Sequence, residues 1–249
     1  MYKKIDLHVH TPRSVCYLDY TFPEANRHTN PEDVVQAALD AGLDAIAITD
    51  HNTCDGVEAI KRVARGNGLC IFPGMEISCR GGHVLAIFNP EAPMDTLRDL
   101  VRALGFKEQE EGDGFIQSSL FMVDVFQLIA ERRGMAIAAH IDRRPRGFAA
   151  SDESLSDKRL IHSSTHLSAL EITTPQDKDL WRGGRMPNYP KRYPCIQDSD
   201  AHAPEEIGRR FTCFYLPSTD LEGLRVALQG FEDRVKFPDE VELKKEPGG

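Results

Sequence analysis

The sequence is short of several features, and each shortage removes a class of answer. No run approaches the ~18 apolar residues that a membrane-spanning helix needs. The N-terminus, Met1-Tyr2-Lys3-Lys4-Ile5-Asp6, lacks the apolar stretch of a secretory signal, which predicts a cytoplasmic chain. None of the six cysteines (Cys16, Cys54, Cys70, Cys79, Cys195, Cys213) belongs to a C-x-x-C pair, which argues against zinc-finger and thioredoxin chemistry. Positive charge is not in excess. Thirty Lys and Arg against 39 Asp and Glu give a net charge of −9, which disfavours wholesale attraction to nucleic acid and accommodates bound cations. There is no internal repeat and no G-x-x-x-x-G-K-[ST] phosphate loop. What remains is an ordinary globular composition, 41% hydrophobic and 28% charged, which excludes disorder of the whole chain. Its 249 residues suit one α/β barrel.

Apolar runs alternate with amphipathic stretches. Ile5–His10 reads as a strand, and Asn30-Pro31-Glu32-Asp33 starts a helix that Gly42 stops. Ala45–Thr49 is a strand, Gly56–Arg65 a helix, and Leu69–Phe72 a strand. This βαβαβ rhythm predicts parallel strands with crossover helices. It continues through strands His83–Phe88, Met135–His140, Ala169–Ile172 and Pro194–Gln197, with a helix over Met122–Arg133. Thr219-Asp220-Leu221-Glu222 reads as a capping box before a last helix. Gly105–Ser119 and Arg182–Tyr193 read as long irregular loops, and the charged tail after residue 237 as frayed.

The histidines are not scattered. His8, His10, His51, His83, His140 and His202 all fall within or just past a strand or its equivalent, and the carboxyl ends of parallel strands converge on one site. His8 and His10 are two apart and share a face of one strand. Glu76 follows the third strand, and Asp200 pairs with His202 in D-x-H. Imidazole and carboxylate together are ligands for Zn, Mn and Fe, so the pattern predicts a metal cluster. Asp50 is placed to orient His51 or another ligand, or to cap a strand end. Arg13, Arg143, Arg144 and Arg146 follow these histidines, and their guanidinium forks suit phosphate. His28, His162 and His166 stand apart, the last two near an exposed turn. Trp181, with Arg182 and Arg185, can either stack a base or pack in the core.

The segments D-L-H-V-H-T-P-R-S, I-T-D-H-N-T, F-P-G-M-E-I-S, G-G-H-V-L, A-A-H and D-S-D-A-H occur in this order. Together they resemble the polymerase and histidinol phosphatase (PHP) family over residues 5–237. The resemblance implies a distorted (β/α)7 TIM-like barrel, a single domain over 1–237, two or three divalent ions (Zn, Mn or Fe) and phosphoester hydrolysis. It implies that His8, His10, Glu76 and Asp200 hold a first ion, and that Glu76 bridges to a second completed by His83 and His140. His51 and His202 are implied for a third. Family members carry Asp or His five or six residues past the second His of the motif, where this chain has Val15 and Cys16. Asp19, close behind, is the expected replacement, with the Cys16 thiolate as the alternative.

Two ions about 3.5–4 Å apart lower the pKa of a bridging water and clamp phosphoryl oxygens. Glu76, Asp200, His202 and Arg143 are therefore the expected catalytic set, with Arg13, Arg143 and Arg144 on the substrate phosphate. G-G-H-V-L-A-I-F, A-A-H-I-D-R, S-D-A-H-x-P-E-E-I-G-R-R and the closing E-G-L-R-x-A-L-x-x-F-E-D-R-V resemble PHP domains that precede SMC-like ATPases in DNA processing. That implies a nucleotide or single-stranded nucleic-acid substrate and an SMC-like ATPase partner in trans. The alternatives are a small-molecule phosphatase such as histidinol-phosphatase and a non-catalytic scaffold that has lost its ligands.

Overall fold

The computed structural model describes residues 1–18 and 29–241. Asp19, expected as a metal ligand, His28, and the tail from 242 lie outside the described residues. Among the described residues ten strands form one sheet: β1 (Tyr2–Val9), β2 (Ala45–Ile48), β3 (Cys70–Arg80), β4 (Gly82–Ile87), β5 (Ser118–Phe121), β6 (Met135–Ala138), β7 (Leu167–Glu171), β8 (Cys195–Ile196), β9 (Thr212–Tyr215) and β10 (Val235–Lys236). The pairing order is β10-β9-β1-β2-β3-β4-β6-β7-β8, with β5 beside β3. Eight helices accompany it among the described residues: α1 (Pro31–Asp40), α2 (Val57–Val63), α3 (Met94–Leu104), α4 (Met122–Glu131), α5 (Leu155–Ser163), α6 (Lys178–Arg182), α7 (Leu221–Gln229) and α8 (Phe231–Arg234). The sheet curls into the expected distorted barrel.

Alternation along the strands separates two apolar layers. Ile5, Leu7, Ala45, Ala47, Leu85 and Ile87 belong to an inner cluster, joined by Leu221, Leu224 and Leu228 of α7. Their neighbours Ile46, Ile48, Val84 and Ala86 belong to an outer cluster with the apolar faces of α1 to α5. Burying a large aliphatic side chain contributes about 1.5–3 kcal/mol, so both layers favour closure. The α1 start is as expected. The Asn30 side chain accepts from the Asp33 backbone at 3.0 Å, and the Asp33 carboxylate accepts from the Asn30 backbone at 2.9 Å.

The strand directions correct the parallel expectation. β1, β2 and β3 are parallel, as are β6, β7 and β8, but β4 is antiparallel to both β3 and β6. Only Gly81 separates β3 from β4, and a parallel crossover needs a dozen residues or more. β9 is likewise antiparallel to β1. Strand β3 also continues through Glu76 instead of ending at Phe72. Other corrections are local. Asp220, not Thr219, caps α7, accepting from Gly223 N at 2.7 Å. The Gly105–Ser119 stretch is pinned to the strand ends through Asn52 and Ser78. In the short turn Pro238–Glu240, Glu240 pairs with Lys178 and accepts from Phe237 N at 2.6 Å. His162 is buried, not exposed, and burial pushes its imidazole down to about 4.

Pairing alone leaves a gap between β8 and the β10-β9-β1 side of the sheet. It is bridged past the strand ends, where His10 N donates to Ala201 O at 2.9 Å and Ala201 N donates to His8 O at 3.3 Å. Nearer the base, Thr212 Oγ1 donates to Gln197 O at 2.8 Å and accepts from Gln197 N at 2.9 Å. The seam therefore brings Asp198–His202 against the first strand.

Candidate metal centre

Inner and outer positions alternate along β1, and strict alternation after Ile5 and Leu7 would send His8 outward. The β1–β2 register shifts between Asp6 and Val9, where three steps on β1 oppose two on β2. Such a bulge re-aims side chains. Val9 joins the outer cluster, and His8 and His10 turn to the inside at the strand's carboxyl end.

Glu76 is the hub. Its Oε2 lies 3.2 Å from His8 Nε2, 3.3 Å from His10 Nε2 and 3.0 Å from His51 Nδ1. Its Oε1 lies 2.7 Å from His83 Nδ1 and 2.9 Å from His140 Nε2. Asp200 Oδ1 is 3.3 Å from both His8 Nε2 and His10 Nε2. Three donor groups result: His8, His10, Glu76 and Asp200; His51, Glu76 and His83; and His10, His51 and His202. The second and third sets overlap more than the expected division did, because His51 faces Glu76 as well as His10 and His202.

The free ring nitrogens are selected by the opposite ones. His8 Nδ1 bonds Glu171 Oε2 at 3.0 Å, and His10 Nδ1 bonds Ser14 Oγ at 2.9 Å. Ser14 Oγ in turn donates to Asp50 Oδ1 at 2.8 Å. Asp50 therefore orients His10, and it holds Thr11 through the backbone and the hydroxyl, each at 2.7 Å. His83 Nε2 bonds Ser78 Oγ at 3.1 Å, and His202 Nδ1 bonds Asp200 O at 2.9 Å. Each contact turns a lone pair toward the cluster. His51 Nδ1 and Glu76 Oε2 are buried without a hydrogen-bond partner, and a carboxylate ringed by five imidazoles is a donor set that suits divalent cations. The residues present therefore fit metal ions.

Electrostatics agree. Burial opposes the charge of Glu76, yet His51, His83 and His8 hold it well below the usual carboxylate range. Asp200 is likewise buried, and His8 and His10 hold it well below that range. Burial pushes His202 down to about 3 and His83 to about 4, so both are neutral and ready to ligate at pH 7. Asn52, His140 and Asp200 adopt positive φ (53°, 27° and 52°), strain of about 1–3 kcal/mol each that is concentrated at the site.

The cluster forms the floor of a cavity of about 490 Å³. Arg143 lines it and pairs with Asp200, and Arg146 lines it as well. Cys16 also lines it, with Sγ 3.0 Å from His202 Nε2. Arg13 and Arg144 are not brought in. Arg13 is exposed and borders a separate depression with Thr29 and Pro31, because the turn after His10 directs it away from the cluster. Arg144 is exposed and does not line the cavity that Arg143 and Arg146 line. Trp181 is 3% exposed among Tyr189, Phe148 and His162, so it packs in the core and offers no face to a base. Glu171 escaped the motifs, and Asp198 stood within D-S-D-A-H without being singled out. Glu171 ends β7 and bonds both His8 and the His140 backbone, the latter at 2.9 Å. Asp198 accepts from Leu7 N at 2.7 Å, and burial followed by Glu171 raises it well above the usual range.

Known proteins share this fold. The family model for the PHP domain matches residues 6–158. An uncharacterised protein of Methanocaldococcus jannaschii is 27% identical over 139 residues, 55% of this chain and 67% of that one. The lesion-specific endonuclease EndoQ of Pyrococcus furiosus superposes with a TM-score of 0.69 at 19% identity, over 95% of this chain and 58% of that one. Endonuclease Q bound to a 27-mer duplex with an abasic lesion at the active site gives 0.70 at 19% identity, over 94% of this chain and 58% of that one. A two-domain Bacteroides vulgatus protein containing a predicted PHP-like metal-dependent phosphoesterase gives 0.63 at 17% identity, over 95% of this chain and 64% of that one. The chain thus spans less than two thirds of these solved structures.

Proposed function

The chain belongs to the PHP domain family, and from that premise we propose that it hydrolyses phosphoesters of nucleotides or nucleic-acid ends with the aid of two or three divalent ions. The observation that carries this reading is the hub. One buried carboxylate, Glu76, faces five imidazoles, and Asp200 closes the first group. Ions held there supply Lewis acidity and a lowered water pKa. The first group (His8, His10, Glu76, Asp200) and the second (Glu76 with His51, His83 and His140) are the holding residues. His202, with His51 and His10, is the third. Glu171, Ser14 with Asp50, and Ser78 keep the imidazoles in register. Arg143 and Arg146 face the cavity and neutralise phosphoryl charge, with Arg143 also steadying Asp200. The degenerate-scaffold alternative fits poorly with eight donors still gathered in one place.

The substrate class is supported by the nucleic-acid enzymes among the similar folds and by the sequence resemblance to domains preceding SMC-like ATPases. An SMC-like ATPase partner belongs to the same reading, and a pull-down from the native source that recovers none would count against it. The main test is turnover of single-stranded oligonucleotides, nucleoside phosphates and histidinol phosphate, with Mn and separately with Zn. Metal-dependent release of nucleotide or phosphate, lost in His8→Ala/His10→Ala, is the expected result. Preference for histidinol phosphate would replace the substrate class with the small-molecule alternative. No turnover by protein carrying its metal would remove the hydrolase reading for these substrates.

A further inference from the structure

Phe115 is 81% exposed at the rim of the cavity, and Val15 beside it is 59% exposed. Burying such a ring would stabilise the fold by about 1.5–3 kcal/mol, yet the chain holds it outward. It is not held loosely. Asn52 Nδ2 donates to Asp113 O at 2.8 Å and to Ile116 O at 2.9 Å, spanning the phenylalanine. Phe115 N donates to Asp113 Oδ1 at 2.8 Å, and Ser78 Oγ donates to Gly114 O at 2.9 Å. Gly112 N donates to His51 O at 2.8 Å. The loop is therefore fastened to the segment bearing His51 and to the strand bearing Glu76.

The second half of the arrangement is fastened too. The Arg146 guanidinium lies 5.1 Å from the centre of the Phe115 ring. Arg146 O accepts from the amide of His83 at 3.0 Å. A Cβ at Gly82 would come within 2.5 Å of that carbonyl, so only glycine lets the arginine segment approach. An aromatic face, a guanidinium and the metal donors are thus locked in one frame.

We infer that Phe115 and Arg146 form a stacking platform that seats a nucleobase of the substrate beside the scissile phosphate. This rests on the phosphoesterase reading above and narrows its substrate class. An exposed ring backed by a guanidinium suits the π-face of any base and gives little sequence preference. Two arginines at the mouth, Arg143 and Arg146, repel a substrate bearing its own cationic amine, so the same arrangement disfavours histidinol phosphate.

The experiment compares a short single-stranded oligonucleotide with the same phosphodiester backbone made baseless by tetrahydrofuran residues. It is run on wild type, Phe115→Ala and Phe115→Trp. Loss of one base stack corresponds to roughly 5- to 150-fold. The expected result is that the selectivity for the base-bearing strand, as a ratio of kcat/KM values, falls by about tenfold in Phe115→Ala and is kept in Phe115→Trp. Fluorescence quenching of a 2-aminopurine strand should be lost with the alanine and kept with the tryptophan. This second readout needs no turnover, so it tests the platform separately from the chemistry. Equal selectivity and equal quenching in wild type and Phe115→Ala would overturn the platform and leave the hydrolase standing. A wild type that turns over only metabolite phosphates and does not quench the labelled strand would overturn both.

Discussion

A single oxygen of Glu171 serves two ligands, accepting from His8 Nδ1 and from the His140 amide. Removing it leaves two buried donors without a partner, and an orienting partner of this kind is worth about 10- to 100-fold in metal affinity. Glu171→Ala is expected to weaken metal binding by that factor in a titration against a competing chelator. Glu171→Gln, which keeps an acceptor oxygen but not its charge, should lose less. An affinity unchanged in both variants would show that the carboxylate does not position His8. This residue also marks the limit of legibility at the smallest scale. His8, His10, Glu76 and Asp200 announce themselves because a two-residue spacing on one strand and donors repeated at successive strand ends rarely arise without a shared ligand. Glu171 sits in Ala-Leu-Glu-Ile and shares no spacing with the residues it serves. Its only signal is a charge ending an apolar strand. Arg13 shows the opposite failure, since closeness in sequence to His10 put it in the site and the intervening turn took it out.

Among the elements, the segment from Gly112 to Ile116 diverges most from its sequence pattern. Its run of acids and glycines reads as a solvated loop, because nothing local reveals that Asn52 will bind its carbonyls. Gly114 lies against His51 so closely that a Cβ would stand 2.7 Å from the ring. Gly114→Ala is therefore expected to displace His51 and to deplete the two donor groups that use it, leaving His8, His10, Glu76 and Asp200 in place. Metal analysis of purified protein should then show at least one ion fewer per chain than wild type. Full occupancy would mean that the loop gives way instead of the ring. The reversed direction of β4 was hidden for another reason. Alternation looks the same in either direction along a strand, and only the single residue between Arg80 and Gly82 betrays the hairpin.

For the molecule as a whole, a cation that binds the folded chain alone must stabilise it. At a thousandfold excess over the dissociation constant the gain is about 4 kcal/mol. For a chain of this size that corresponds to roughly 8–16 °C in Tm. Scanning calorimetry of metal-stripped protein, before and after adding Zn or Mn, should show such a rise, reversed by chelation. The rise should shrink as pH falls, because protons compete for the imidazoles and carboxylates. The Asp200 and Glu76 carboxylates already hold His10 up to about 9 against its burial, so cation and proton contend for the same ring. An unchanged Tm would remove the metal centre itself. The class of barrel was legible because apolar runs recur at the right intervals. Its seam was not, since the contacts that close it link residues almost a whole chain apart.

That seam gives the protein a history. Asp200 meets His8 and His10 only when a segment about 190 residues downstream reaches the first strand. Ribosomes add about 5–20 residues per second, so the two histidines are synthesised roughly 10–40 s before Asp200. A nascent chain carries an unfinished chelator throughout that interval. Completion of the His8, His10, Glu76 and Asp200 group is then a late event in biosynthesis, coupled to release of the closing segment rather than to emergence of the histidines.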